Sequence, residues 1–306
     1  MPKIEFKAMG CHMLAVLDSQ SARSNEKLSR VPAWFEAWEQ SLSRFRPDSE
    51  LSLLNSHAGG PVQVSPTLMT VFRTAVEMEK RSQGLVTPTI LDALVYAGYD
   101  RSFDQLSPAQ PQRESGEYHC VTSTAAIEWQ ADSRTIHLPP HLHLDFGGVA
   151  KGWAAEQAMQ RLKGYGPTLV DAAGDIAISG LQTNGQPWSV AIADPFQPDA
   201  DLELLKLGRC GVATSGTDYR RWQQDGVWKH HIIDPRTGEP AETDVVSATV
   251  IAPNVVDAEM AAKVALISGS HSGMAWLDAN PLFAGLLVLE NGQRLYSQRF
   301  EKYLWS

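Results

Sequence analysis

Apolar positions alternate loosely from Lys3 to Leu17, with Ile4 and Phe6 on one side, and this two-residue period predicts a strand. Met9-Gly10-Cys11 interrupts the run, where Gly10 marks a bulge or a close backbone approach. From Ser24 the period lengthens. Val31, Trp34, Phe35, Trp38 and Leu42 form one helical stripe, which Pro47-Asp48 ends in a turn. Ser49 then caps a short helix containing Ser52 and Leu53. The clearest helix start is Ser65-Pro66, a capping hydroxyl followed by proline at the first helical position. Its buried stripe is Leu68, Val71, Phe72, Ala75 and Met78, and Gly84 is a natural end. The segment from Thr87-Pro88-Thr89 to Tyr99-Asp100 is apolar and aromatic, and closes in a glycine turn.

Residues 101–118 are rich in Ser, Pro, Gln and Glu without periodicity, which predicts a surface insertion near 101–118 rather than a domain linker. Ala126–Trp129 and Thr135–Leu138 form a hairpin around Ala131-Asp132-Ser133. After Asp145 the pattern is helical, with Ala155, Met159 and Leu162 on one face and Gly164 past the end. Thr168–Ile178 is a strand interrupted at 172–175, and Trp188–Ala193, Trp228–Ile233 and Val245–Ala252 are strands. Gly211-Val212-Ala213-Thr214-Ser215-Gly216 leads from a strand into a polar turn. Ala258–Ile267 is a helix capped by Gly269, and the chain ends in a hairpin with a two-residue turn at Asn291-Gly292. Strands outnumber helices and hairpins recur. The fold class is α+β, a largely antiparallel sheet with flanking helices, read as a single domain over 1–306.

Composition narrows the partners. A formal charge of −9 disfavours a nucleic-acid or anionic-membrane surface. Cys11, Cys120 and Cys210 are odd in number and dispersed, so reduced thiols rather than a disulfide framework are expected. The N-terminal residues show no apolar signal region and no later run is long enough to span a bilayer, which sets a cytoplasmic expectation.

Three stretches carry candidate chemistry. In Asp145-Phe146-Gly147-Gly148-Val149-Ala150-Lys151-Gly152, adjacent glycines let backbone approach a ligand, and a helix start that favours anions follows. A ligand-free strand-to-helix turn accounts for the same residues. Ala213-Thr214-Ser215-Gly216 and His230-His231-Ile232-Ile233-Asp234-Pro235-Arg236-Thr237-Gly238 place polar side chains at turns beside apolar strands. A histidine near Asp234 is a candidate general base; alternatively, Asp234-Pro235 only ends a strand. No histidine or cysteine spacing fits structural zinc, and neither a Gly-x-Ser-x-Gly elbow nor a P-loop is present.

Taken in order, these motifs resemble the ApbE-type FAD:protein FMN transferase family. Phe6-Lys7-Ala8-Met9-Gly10-Cys11 resembles the family's opening block, with cysteine where threonine is usual. Phe45 to Asn55, with Ser49-Glu50-Leu51, resembles the next block, and Thr87-Pro88-Thr89 with Ala97-Gly98-Tyr99 the one after. Asp145 to Gly152 is close to Asp-Leu-Gly-Gly-Ile-Ala-Lys-Gly, and Asp171-Ala172-Ala173-Gly174-Asp175 stands where Asn-x-Gly-Gly-Asp is common. Ala213–Gly216 and His231–Gly238 fit well, so the ordered set spans nearly the whole chain.

The resemblance implies an ApbE-like, T-fold-like domain that cleaves FAD with Mg2+, attaches FMN to a Ser or Thr of a target flavoprotein and releases AMP. It implies FAD contacts at Met9, Phe45, Ala97, Gly98, Tyr99, Asp145, Lys151, Thr214, Ser215 and Ile232, and a proton-accepting role for His231. Metal ligands are implied at the Gly148 carbonyl and at the block matching Ala-Asp-Ala-x-x-Thr, here Ala258-Glu259-Met260-Ala261-Ala262-Lys263. That block departs from the pattern: Glu259 keeps a carboxylate, whereas Lys263 puts a cation where a hydroxyl is usual. Three readings follow: an ordinary Mg2+ site through Glu259, an ammonium in the metal's place, or a surface Glu–Lys pair. The departures at Cys11 and Lys263 also admit an FAD-binding protein of the same fold without transferase activity.

Overall fold

A computed structural model describes residues 1–106, 109–110, 121–224 and 226–305. The chain folds into two compact units, each built from separate stretches. The first comprises Met1–Glu36, Lys151–Gly216 and Thr243–Ser306; the second comprises Ala37–Ala150 and Thr217–Glu242.

The first unit is organised on an eight-stranded antiparallel sheet. Its strands are β1 (Lys3–Ala8), β2 (Cys11–Leu17), β3 (Thr168–Ala172), β4 (Asp175–Ile178), β5 (Cys210–Gly216), β6 (Val245–Ala252), β7 (Ala284–Leu289) and β8 (Arg294–Tyr296). The first apolar run is therefore two strands. Met9 and Gly10 both have positive φ, 50° and 68°, and make the tight turn that joins them, so Gly10 marks a reversal rather than a bulge. Ala173 and Gly174, at 59° and 91°, repeat the device between β3 and β4. Register places both turns at the same end of the sheet, since Met13 stands opposite Ala172.

The helix Val255–Ala279 packs on β5, β6 and β7. Asn254 caps it, and Gly269, at φ 76°, breaks its path before it resumes. The first helical stretch thus starts before Ala258 and stops where expected, at Gly269, after which a second stretch runs to Ala279. Gly211 makes the packing possible: a Cβ there would lie 2.0 Å from the Val255 backbone nitrogen. The Trp188–Asp194 and Gln197–Leu207 hairpin packs in a core with Ile176, Ile178, Val212, Ile251, Leu286 and Val288. Covered on both faces, β6 and β7 read as nearly continuous apolar runs instead of alternating.

In the second unit the helix Val31–Leu42, which begins in the first unit, buries Trp38 and Leu42. Ser49 caps Glu50–Ser56 by accepting from the Ser52 amide, and Ser65 caps Pro66–Arg81 through the Leu68 amide. Each cap is worth about 1 kcal/mol. Leu68, Val71, Phe72, Ala75 and Met78 are buried along the second helix. Glu128–Gln130 and Thr135–His137 pair as expected. Of the expected insertion, 107–108 and 111–118 lie outside the described residues, as does Cys120.

Two local readings need correction. Thr214 and Ser215 lie within β5, paired to Thr249 and Ala248, because β6 supplies hydrogen bonds through to Gly216. The C-terminal hairpin turns through Glu290-Asn291-Gly292, closed by the Leu289 amide donating to the Gln293 carbonyl. Only Gly292 there has positive φ, which excludes the two-residue turn that would need it at Asn291 as well.

Candidate functional site

In the second unit the expected site residues gather around Asp145. Asn55 holds the preceding residue as a strand would: its Nδ2 donates to the Leu144 carbonyl at 2.9 Å and its Oδ1 accepts from the Leu144 amide at 2.8 Å. The Asp145 amide donates to the Pro88 carbonyl at 2.8 Å. One carboxylate oxygen accepts from the Gly147 amide at 2.7 Å. The other faces Arg44 Nε at 2.7 Å, an ion pair with both side chains over nine-tenths buried. That contact is close but poorly aligned, so Arg44 Nε and Nη2 make no hydrogen bond. The guanidinium instead lies over the rings of Phe45 and Tyr99, 4.1 and 4.6 Å from their centroids.

Behind this stack, Tyr99 lies on Trp222 with centroids 5.4 Å apart, and Trp222 Nε1 donates to the Ala97 carbonyl at 2.8 Å. Gly98 is required twice over, with φ at 99° and an added Cβ only 2.9 Å from Trp222 Nε1. Phe45, Ala97, Gly98, Tyr99 and Asp145 are thus one packed group, with Phe45 its most exposed member. Glu79, buried in the Pro66–Arg81 helix, accepts from Thr87 Oγ1 at 2.6 Å and from the Thr124 amide, anchoring the Thr87-Pro88-Thr89 segment. Gly148 is half-exposed and Gly147 exposed.

The two adjacent histidines differ. His230 Nε2 donates to the Ala241 carbonyl at 3.2 Å, and Nδ1 accepts from the Ile232 amide at 3.3 Å. Burial pushes its pKa down, so it is held neutral with both ring nitrogens engaged. His231 is half-buried. Ile232 is buried, its carbonyl accepts from the Ala241 amide, and its own amide donates to His230 Nδ1.

In the first unit, Met9, Lys151, Thr214 and Ser215 gather toward the sheet end that carries the two tight turns, as their registers require. Lys151, in the first turn of the helix Ala150–Leu162, pairs with buried Asp175 at the start of β4. Thr214 and Ser215 point to opposite faces; Thr214 is exposed and shares a 2.8 Å hydrogen bond with Thr249, while Ser215 is buried. Asp171 carries a raised pKa, mainly from burial and secondarily from Asp175, opposed by the Gly174 amide.

Glu259 and Lys263 are not a surface pair. Lys263 Nζ donates to Glu259 Oε1 at 3.1 Å, with side-chain exposures of 16% and 2%. Glu259 Oε2 is buried without a hydrogen-bond partner. Burial pushes the Glu259 carboxyl up, and the Lys263 charge opposes this. These donors do not fit the Mg2+ that the resemblance implies. Mg2+ needs converging oxygens, whereas Lys263 is an ammonium with no lone pair and Asp175 is already paired to Lys151. Among the described residues no group of three Asp, Glu, His or Cys side chains is arranged to hold a metal ion.

Arg44, Asp175 and Trp222 are site-building residues absent from the expected set. Only Asp175 had a signal, its place in the Asp171–Asp175 block.

A sequence model described as "ApbE family" matches residues 9–286. The chain is 30% identical over 291 residues to the FAD:protein FMN transferase of Vibrio cholerae, covering 92% of this chain and 86% of that protein. It is 30% identical over 296 residues to the Treponema pallidum protein of the same name, covering 91% and 81%. In fold it resembles the ApbE protein of Thermotoga maritima, with TM-score 0.87 at 24% identity over 100% of this chain and 99% of that one. The flavin transferase ApbE of Vibrio cholerae gives TM-score 0.78 at 24% identity over 99% of each chain. With its motifs in family order through both units and a family match over most of its length, the chain belongs to the ApbE family.

Proposed function

We propose that this protein is an FAD:protein FMN transferase, and that its two units serve as one functional domain. The observation that carries the reading is the unbroken family match over residues 9–286, with relatives at 30% identity bearing that name. In the proposed reaction an acceptor Ser or Thr hydroxyl of a target flavoprotein attacks the FMN-side phosphorus of FAD. The new P–O bond forms as the bond to the bridging oxygen breaks, and AMP leaves with that oxygen. His231 takes the hydroxyl proton, a role that His230, with both ring nitrogens engaged, is not free to fill.

Lys151 supplies positive charge to the pyrophosphate, and exposed Gly147 beside half-exposed Gly148 allows close approach of the nucleotide. Phe45, the exposed member of the group, offers an aromatic face, with Tyr99, Ala97 and Gly98 shaping the wall behind it. Met9, Thr214, Ser215 and Ile232 complete the proposed contacts. No step is assigned to Mg2+. Three dispersed cysteines, odd in number, support a cytoplasmic setting that cell fractionation would check. Among the described residues no helix is long and apolar enough to cross a membrane.

The test is incubation with FAD and a target flavoprotein bearing the acceptor hydroxyl. The reading requires covalent flavin on the target together with AMP release. A second reading, FAD binding without transfer, draws on the pairing of Lys263 with buried Glu259. Saturable FAD binding with neither covalent flavin nor AMP would establish it instead. His231→Ala should keep FAD affinity and lose roughly 10²–10⁴-fold in transfer rate.

A further inference from the structure

The first unit carries a half-buried cation whose place is set by the protein itself. Glu259 lies on the Val255–Ala279 helix and is 1% exposed. A Cβ at Gly152 would stand 2.5 Å from its Oε2. Glycine at 152 is therefore what lets the carboxylate lie against the first turns of Ala150–Leu162, the helix that also bears Lys151. Held there, the carboxylate fixes Lys263 at 3.1 Å through its other oxygen. An ammonium has three donors. Among the described residues the Lys263 ammonium hydrogen-bonds Glu259 alone, and it keeps some access to solvent. Removing Lys263 would leave a buried, unpaired carboxylate, so this cation is integral to the unit and not an incidental side chain.

We propose that Lys263, positioned by Glu259, is the cation that binds the phosphate oxygens of the flavin dinucleotide, in place of a divalent metal ion. The inference rests on the flavin-dinucleotide reading above. A singly charged donor with free N–H groups neutralises phosphate and hydrogen-bonds it, but presents no coordination sphere. Nucleotide binding is then independent of divalent metal, while Glu259 acts as a positioning residue through Lys263.

The experiment is titration of FAD into the wild-type protein by calorimetry, in excess EDTA and in excess Mg2+, with no acceptor protein present. The expected result is the same Kd, within about twofold, in both buffers. Lys263→Thr should bind FAD roughly ten- to a hundredfold more weakly in EDTA, the size of one lost charge-assisted hydrogen bond. Lys263→Arg, which keeps the charge, should recover most of that loss, and circular dichroism would show that each variant is folded.

Wild-type binding that weakens tenfold or more in EDTA and returns with Mg2+ would overturn the proposal and leave the flavin reading standing. So would a folded Lys263→Thr that binds as tightly as wild type in EDTA. Absence of FAD binding in both buffers would sink the flavin reading, and this inference with it. The wild-type arm decides the matter even if the threonine variant does not fold.

Discussion

Gly98→Ala is the substitution that most directly probes how the aromatic group around Asp145 is built. Gly98 sits at φ 99°, where an alanine is strained by about 1–2 kcal/mol. The new Cβ would stand 2.9 Å from Trp222 Nε1 and 3.1 Å from Gln224 Oε1. Trp222 is almost fully buried and held between Tyr99 and the Ala97 carbonyl, so it has little room to retreat. Overpacking of this kind costs about 1–3 kcal/mol. Loss of the 2.8 Å indole hydrogen bond adds about 0.5–1.5 kcal/mol. A stiffer unfolded chain returns about 0.4–1 kcal/mol. The expected net loss is about 1.5–6 kcal/mol, read from urea unfolding followed by tryptophan fluorescence. Gly84→Ala is the control in the same unit: its φ is 88°, but an added Cβ meets nothing within 4 Å, so it bears the backbone strain alone. Equal losses for the two variants, within about 0.5 kcal/mol, would refute the claim that Gly98 exists to accommodate Trp222.

Three further outcomes are expected. Gly152→Ala should cost about 1–3 kcal/mol by displacing the Glu259 carboxylate, less about 1 kcal/mol of helix propensity, and urea unfolding should show the penalty vanish in a Glu259→Ala background. His143 is held above its usual pKa, first by its 2.7 Å hydrogen bond to Asp92. The stabilisation is therefore complete below the unfolded value near ~6.5 and is lost as pH rises through the folded pKa. At this half-exposed site it is worth less than ~1 kcal/mol. The thermal-stability gap between wild type and Asp92→Asn should accordingly be wider near pH ~6 than near pH ~8.5, and a gap that widened with pH would contradict the assignment. Burial pushes the Cys210 thiol up to about 12. Peptide mass spectrometry after alkylation at neutral pH should find it unlabelled in the native protein and labelled in urea.

What the sequence made legible was local. The Ser49 and Ser65-Pro66 caps and the helical stripes depend on residues a turn apart, and they stand where the periodicity puts them. Thr214-Ser215 reads as a turn because both residues are polar, but strand pairing with Thr249 and Ala248 decided otherwise. Met9 at positive φ has no compositional signal, since the tight turn is imposed by the pairing of Ala8 with Cys11. Nothing in the sequence around Arg44 sets it apart. Only the fold brings Asp145, about a hundred residues on, under its guanidinium. For Glu259 and Lys263 the four-residue spacing was visible, whereas their burial required the Ala150–Leu162 helix to come close at Gly152.

The order of strands in the main sheet also bears on how the protein is made. β1 to β8 lie side by side in the order of their synthesis, each antiparallel to the one before. A chain emerging from the ribosome N-terminus first therefore offers each new strand a neighbour already in place. There is one long wait, from Leu17 to Thr168, during which the β1–β2 hairpin has an open side. That side is the edge of Cys11-His12-Met13-Leu14-Ala15-Val16-Leu17, an apolar strand without proline or an acidic guard. The nascent chain, more than the finished protein, is where this sequence is exposed to pairing with a second copy of itself.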